Sequence, residues 1–323
     1  MKILVTGAGG FLGSHLTEKL VKSGHKVRAL VQYDPNNNWG WLDSSKYKKD
    51  IEFKIGDIRD YDSVYSSLIG IDQVYHLAAL IGIPYSYVSP LAYIKTNIEG
   101  TYNVVQSARL LNIKNVIITS TSETYGSAQF IPMNENHPKI GQSPYSATKI
   151  GADNLALSYN KSFGTPIKLV RPFNIYGPRQ SARAVIPAIA IQILSGKRKI
   201  KLGNTYATRD LTFVKDTVDG FIEISKQNKF NGEAVNIGMN NEISIIDLVH
   251  KIAKILDKKI EIVFDKKRIR PKKSEVNRLV CDNTKLIKNT KWKPKYNLDK
   301  GLKETLNWIV KNQNKFKSNI YNF

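Results

Sequence analysis

The chain has 323 residues, 41% hydrophobic, with a formal net charge of +22 and one cysteine. That length and apolar content suffice for a full core in one large α/β unit or two closely joined lobes, which excludes general disorder. Cys281 alone excludes an internal disulfide framework and, with no CxxC or nearby His partner, makes no metal the expectation. No stretch reaches the roughly 18 apolar residues of a membrane span, and Met1 runs straight into an apolar strand, so a cytoplasmic protein without membrane contact is expected.

In chain order, apolar β-branched runs predict strands at Ile3–Thr6, Val27–Val31, Ile51–Ile55, Gln73–Leu77, Asn115–Ser120 and Ile167–Val170. Helical periodicity fits Gly13–Ser23, Tyr61–Ile69, Tyr93–Leu111 and Tyr145–Phe163 between them. This alternation is the signature of an α/β fold with a Rossmann-type doubly wound parallel sheet. From about residue 172 the pattern loosens into short strands and the helices Ser244–Leu256 and Asp299–Lys311. We read residues 1–171 as a dinucleotide-binding domain, with return segments around 210–237, and 172–323 as mainly a smaller, mixed substrate lobe. The connection Gln32–Lys49 is unusually long, and its NNNWGWL (36–42) is too aromatic for a flexible linker; Trp39 and Trp41 either close over the adenine side of a cofactor or pack the insertion.

TGAGGFLGSHL (6–16) follows a strand and opens a helix. Gly7 permits a tight turn, Gly10 lets the backbone approach a pyrophosphate beside Phe11 and Leu12, and Gly13 allows close helix-to-strand packing. GDIRD (56–60) follows the third strand, where Asp57 and Ile58 either flank an adenine or form a plain turn. In HLAAL (76–80), Leu77, Ala78 and Ala79 are small enough to let a cofactor cross the sheet edge. Asn97 of NIEGT either bonds a strand end or serves structure alone. The second strand normally ends in an acid for the ribose of NAD or near an arginine for the phosphate of NADP. Here Gln32 stands there, so both cofactors remain open, with a lean to NADP.

YSATK (145–149) begins a long helix, and Tyr145 and Lys149 at i and i+4 share one face. A neighbouring ammonium favours phenolate and brings a tyrosine pKa of about 10 toward neutrality. Tyr145 is then a general base toward a sugar hydroxyl, and Lys149 also holds the nicotinamide ribose.

TGAGGFLG, HLAAL, NIEGT, STSETYG (120–126), YSATK and RPFNIYGPR (171–179) together resemble the extended short-chain dehydrogenase/reductase family of nucleotide-sugar epimerases, dehydratases and decarboxylases. The resemblance covers nearly the whole chain. It implies a tightly bound NAD or NADP regenerated each turnover, Pro172 at the cofactor, Asn174 at the substrate, and a homodimer built on a four-helix bundle from Tyr93–Leu111 and Tyr145–Phe163. Val104, Leu111, Leu155 and Leu157 are apolar stripe residues that suit either that bundle or the core.

Glu123 stands where epimerases of this kind usually carry Ser or Ala, which points to chemistry at the carbon next to a transient ketone. The resemblance implies a 4,6-dehydratase: Tyr145 takes the O4 proton, Thr121 bonds O4, Glu123 removes the C5 proton, and the 6-hydroxyl leaves as water. Ser122 gives the Thr-Ser-Glu form of GDP-mannose dehydratases rather than Thr-Asp-Glu. UDP-glucuronate decarboxylases share that triad, and a C4 epimerase is a further alternative. GPRQSARAVIPAIAIQI (177–193), NNWGWL and RPKKSEVNRLVCDNTKLIKNTKWKP (270–294) resemble GDP-sugar dehydratases, in particular the GDP-N-acetylglucosamine 4,6-dehydratases of bacterial legionaminic acid biosynthesis. By that resemblance Val185 packs the base, Arg179 or Arg183 meets phosphate, Arg209 and Arg270 meet the diphosphate, and Glu275 meets the nucleotide ribose. The basic excess, including KKRIRPKK (266–273), reads as solvated surface. Its alternative, a non-catalytic nucleotide- or RNA-binding protein, is disfavoured because such proteins tend to lose the Tyr and Lys pair that this chain keeps.

Overall fold

The computed structural model describes residues 1–269 and 271–317. Strands β1 (Lys2–Thr6), β2 (Lys26–Val31), β3 (Ile51–Ile55), β4 (Gln73–His76), β5 (Asn115–Thr119) and β6 (Ile167–Pro172) are followed by β7 (Asn174–Tyr176), β8 (Lys199–Leu202), β9 (Thr208–Arg209), β10 (Leu211–Phe213) and β11 (Ala234–Ile237). One seven-stranded sheet runs in the order β11-β6-β5-β4-β1-β2-β3, and every pairing in it is parallel. Strand order reverses between β1 and β4, so the strands' carboxyl ends open a crevice there, where such sheets bind ligands.

Burial on both faces explains the apolar, β-branched strands. Helices Phe11–Lys22 and Val214–Ser225 pack on one face, joining Val5, Val27, Tyr75, Val170, Phe221 and Trp292 in one core. Helices Tyr61–Leu68, Gly100–Leu110 and Pro144–Phe163 cover the other face, over Leu4, Val74, Val116 and Leu169. A third core, centred on Ile189, Ile200, Phe213, Leu248 and Leu306, binds helices Val185–Leu194, Ile245–Ile255 and Leu298–Lys311 into the smaller lobe.

Ile51–Ile55 forms the strand expected, but Tyr93–Leu111 is not one α-helix. It comprises Pro90–Tyr93, a π-helical stretch Ile94–Glu99 and Gly100–Leu110. Wide π turns place apolar residues nearly as an α-helix does, so periodicity does not separate them. Within these helices Val104 is fully buried, while Leu111, Leu155 and Leu157 pack partly buried against the same sheet-side core. Exposed Ile94 and Tyr102 point elsewhere. Among the described residues no helix is long and apolar enough to cross a membrane.

Candidate active site

The glycine turn is built by exclusion. Gly7 has φ +66, and a Cβ on it would sit 2.9 Å from the Ala78 backbone; one on Gly13 would sit 2.2 Å from the Gly7 carbonyl oxygen. Gly10 caps helix Phe11–Lys22 without a side chain, and the first turn carries no acid. The amides and positive helix end therefore face the crevice without a competing carboxylate, which suits an anionic pyrophosphate. Opposite, the Thr6 hydroxyl accepts the N–H groups of Leu77 and Ala78 at 3.1 Å and meets His76 Nδ1 at 2.8 Å. Asn97 brackets Leu80, accepting its N–H and donating to its carbonyl, in the loop four residues beyond the end of β4 rather than at the strand end.

The crevice is a cavity of about 1260 Å³, beyond the roughly 300–1,000 Å³ of a single small-molecule site. Gly7, Gly10, Phe11, Leu12, Gln32, Leu77, Ala78, Ala79, Thr121, Ser122, Glu123, Tyr145, Lys149, Pro172, Asn174, Val185, Arg209 and Glu275 all line it.

Ser143 starts the helix that carries Tyr145. Its hydroxyl accepts the Ser146 N–H, the Ser146 side chain answers the Ser143 N–H, and Pro144 fills the first turn. Tyr145 thus faces β5, whose end turns into a short 3₁₀ segment Ser122–Tyr125 capped by Thr121. The Tyr145 phenol bonds the Thr121 hydroxyl, and Lys149 Nζ donates to the Thr119 carbonyl at 2.5 Å.

The electrostatics correct one expectation. Burial raises the Tyr145 pKa well above the ordinary tyrosine value, the Thr121 bond opposes this, and Glu123 and Tyr93 add to it. Burial also lowers the Lys149 pKa, against the attraction of Asp153. Within the protein alone Tyr145 is therefore a protonated phenol, because desolvation dominates while the Lys149 ammonium is turned to the Thr119 carbonyl.

Beneath the pair lies a buried ion pair. Asp153 Oδ2 accepts from Ser120 Oγ at 2.7 Å and from Arg171 Nη2 and Nε at 3.0 and 3.2 Å, while Arg171 Nη1 donates to the Tyr125 hydroxyl. It ties β5, β6 and the Tyr145 helix together.

Some expected residues lie elsewhere. Asp57 is held by the Arg59 guanidinium, Ile58 packs into the core, and Arg179 pairs with Glu18 at 3.0 Å; none of these lines the cavity. Arg270 lies outside the described residues. Arg209 and Glu275 do reach the cavity wall, joined to each other at 3.2 Å. Asp34, Asn38, Asn204, Lys267 and Arg268 also line it. Lys267 and Arg268 belong to the basic run read as solvated surface; Lys267 is exposed as read, though at the cavity rim, while Arg268 is half-buried and paired with Asp265 at 3.2 Å. Asp34 puts a carboxylate on the cavity wall two positions beyond Gln32, its Oδ1 accepting the Asn36 N–H. Among the described residues no cluster of His, Cys, Asp and Glu could hold a metal ion.

A parallel sheet with a glycine turn at its switch point, and Tyr145, Lys149 and Glu123 across the same crevice, defines an α/β enzyme fold with a site suited to a dinucleotide. Residues 4–305 match the family described as GDP-mannose 4,6 dehydratase, and the chain belongs to it, within the broader group of nucleotide-sugar dehydratases, epimerases and decarboxylases. A UDP-N-acetyl-α-D-glucosaminuronate decarboxylase of Bacillus cytotoxicus is 32% identical over 97% of this chain and 99% of its own. The dTDP-glucose 4,6-dehydratase DesIV of Streptomyces venezuelae, solved with NAD bound, superposes with a TM-score of 0.89 at 27% identity, covering 98% of this chain and 99% of that one. A mutant UDP-glucuronic acid 4-epimerase of Bacillus cereus, solved with a fluorinated substrate relative and NAD, gives 0.88 at 30% identity, covering 96% and 99%.

Proposed function

We propose that this enzyme is a nucleotide-sugar 4,6-dehydratase converting GDP-N-acetylglucosamine to its 4-keto-6-deoxy product and water. The observation that carries the reading is Glu123 on the cavity wall within electrostatic reach of Tyr145. Gly7, Gly10, Phe11, Leu12, Ala78, Lys149 and Pro172 would hold a nicotinamide dinucleotide, and the glycine turn fits its pyrophosphate. When bound, that cofactor supplies a positively charged ring that accepts a hydride and gives it back, so it ends a turnover unchanged. Its charge opposes the effect of burial on Tyr145. Tyr145 can then take the proton of the sugar 4-hydroxyl while Thr121 holds O4. Glu123 removes the C5 proton, acidified by the C4 ketone, and passes it to the departing 6-hydroxyl as water, with Ser122 on the same wall; as C6 takes the hydride, the proton held by Tyr145 is returned to C5.

For the cofactor we favour NAD over NADP: a carboxylate at Asp34 grips ribose hydroxyls and repels an added phosphate. The GDP moiety is placed toward Val185, with Lys267, Arg268 and the Arg209 and Glu275 pair at its diphosphate and ribose. On this reading residues 1–171, with the return around 210–237, hold the cofactor and most of 172–323 holds the nucleotide-sugar. A cytoplasmic homodimer through exposed Ile94 and Tyr102 completes it.

Incubation with GDP-N-acetylglucosamine and a panel of GDP- and UDP-hexoses, followed by mass spectrometry, should show loss of one water without accumulation of reduced cofactor. Failure with every sugar would overturn the assignment. Glucuronate decarboxylation is the second reading, favoured by the decarboxylase relative; released carbon dioxide would establish it. Glu123→Gln should lower elimination by about 10²–10⁴-fold while partial oxidation at C4 persists. A C4 epimerase would barely respond.

A further inference from the structure

The long connection after β2 is fastened to the glycine turn by its backbone. Trp41 N–H donates to the Gly9 carbonyl at 2.9 Å. Gly9 and Gly40 meet face to face: a Cβ on Gly9 would lie 2.5 Å from the Trp39 carbonyl oxygen, and one on Gly40, with φ +65, would lie 2.4 Å from the Gly9 carbonyl oxygen. Neither position admits a side chain while the contact is closed. Fully buried Leu42 anchors the far end of the segment, and Asn36, Asn37 and Asn38 are exposed at the near end.

Two aromatic contacts hold this strap from opposite sides. Trp39 stacks on Phe53 of β3, with ring centres 5.0 Å apart, and Trp41 meets Trp308 of the C-terminal helix edge-on at 5.2 Å. Lys315 Nζ lies 5.0 Å from the Trp41 ring centre. Asn38, Trp39 and Gly40 line the same cavity as Gly9, Gly10, Gln32 and Asp34. A dinucleotide whose pyrophosphate rests on the glycine turn, with its adenosine at the end of β2, has this strap as part of its enclosure.

We propose that Gly40 and Trp41, latched by Trp308, are dinucleotide-retaining residues, and that the strap lifts from Gly9 when the cofactor exchanges. The proposal rests on the reading that the glycine turn holds a nicotinamide dinucleotide. It suits a reaction that regenerates its cofactor in place, since retention then costs no turnover. It also gives the C-terminal helix, which is remote from the reacting groups, a role at the cofactor site.

The test is a chase of bound NADH with excess NAD, followed by fluorescence in stopped flow. An aromatic edge contact contributes about 0.5–1.5 kcal/mol beyond its buried area, so Trp308→Ala should release NADH up to about tenfold faster. Gly40→Ala, which cannot close on Gly9, should do the same. Because a latch slows entry as well as exit, association should also quicken, whereas general damage to the site would speed release alone. Trp308→Phe should restore the wild-type rate within about twofold, keeping the edge contact. Unchanged release in both alanine variants, or faster release without faster entry, overturns the latch. If Trp308→Ala does not fold, Gly40→Ala decides. A wild-type protein that takes up no NADH would instead refute the dinucleotide reading itself.

Discussion

Mild acid should weaken this fold through two buried histidines, opposed by one buried carboxylate; burial also lowers the His25 pKa and raises that of Asp216, and these two smaller shifts act in opposite directions. The Thr101 hydroxyl donates to the Asn97 carbonyl, so His76 Nε2 must donate to Thr101, leaving Nδ1 to accept from Thr6; the ring is neutral and fully buried. Burial lowers its pKa from 6.5 to about 3. His15 donates Nε2 to the Pro178 carbonyl at 3.0 Å, and burial lowers its pKa to about 4. Between pH 6.5 and about 4 the unfolded chain therefore binds two protons that the folded chain refuses, and stability is lost as pH falls. Asp210 opposes this. Burial raises its pKa from 3.8 to about 6 against the backbone N–H groups of Met239 and Cys281, so the folded state binds its proton first. Its contribution is lost as pH rises through that window. Two histidines against one carboxylate leave a net loss of about 1.4 kcal/mol per pH unit between pH 6 and 5. Urea midpoints across that range measure it. The carboxylates with depressed pKa values, such as Glu52 and Asp57, act at lower pH and do not intrude. His15→Gln keeps a donor for Pro178 and removes one titrating ring, so its slope should fall nearly to zero. A slope unchanged by His15→Gln, or stability that rises on acidification in the wild type, would refute the argument.

Asp34→Ala should weaken NAD by about tenfold, in line with the roughly 1.5–3 kcal/mol of a hydrogen bond to a charged group, and should narrow the preference over NADP; parallel titrations with both cofactors check this, and an unaltered ratio removes Asp34 from the ribose site. Asp153→Asn should shift the alkaline limb of kcat/KM to lower pH, because burial then lowers the Lys149 pKa with no carboxylate opposing it. A limb that stays in place while activity merely drops would show that Asp153 acts on structure alone.

The sheet was legible because its signals are local. Alternating strand and helix patterns, and glycines forced by backbone contacts at Gly7 and Gly13, are written in short stretches of chain. The same holds for Tyr145 and Lys149, whose relation is one helical turn. The Arg209 and Glu275 pairing and the position of Lys267 and Arg268 at the cavity rim depend on how a distant segment folds back, and no nearby pattern encodes that. Asp34, proposed above for the ribose, escaped the sequence reading because the second strand stops at Val31 and this carboxylate comes three residues later, past the position where the familiar spacing directs attention. The protonation of Tyr145 was misjudged for another reason. Sequence shows which charges are neighbours, but not how thoroughly water is kept from them.

The sheet is also finished out of order. β6 pairs on one side with β5, already made, while its other edge waits for β11, which arrives only after the whole excursion from Asn174 through the helix Val214–Ser225. During synthesis an apolar strand edge stays open over that interval, able to pair with another nascent chain. Chains interrupted between β6 and β11 should therefore be prone to association, which makes this stretch the one where slow translation would cost the most folded protein.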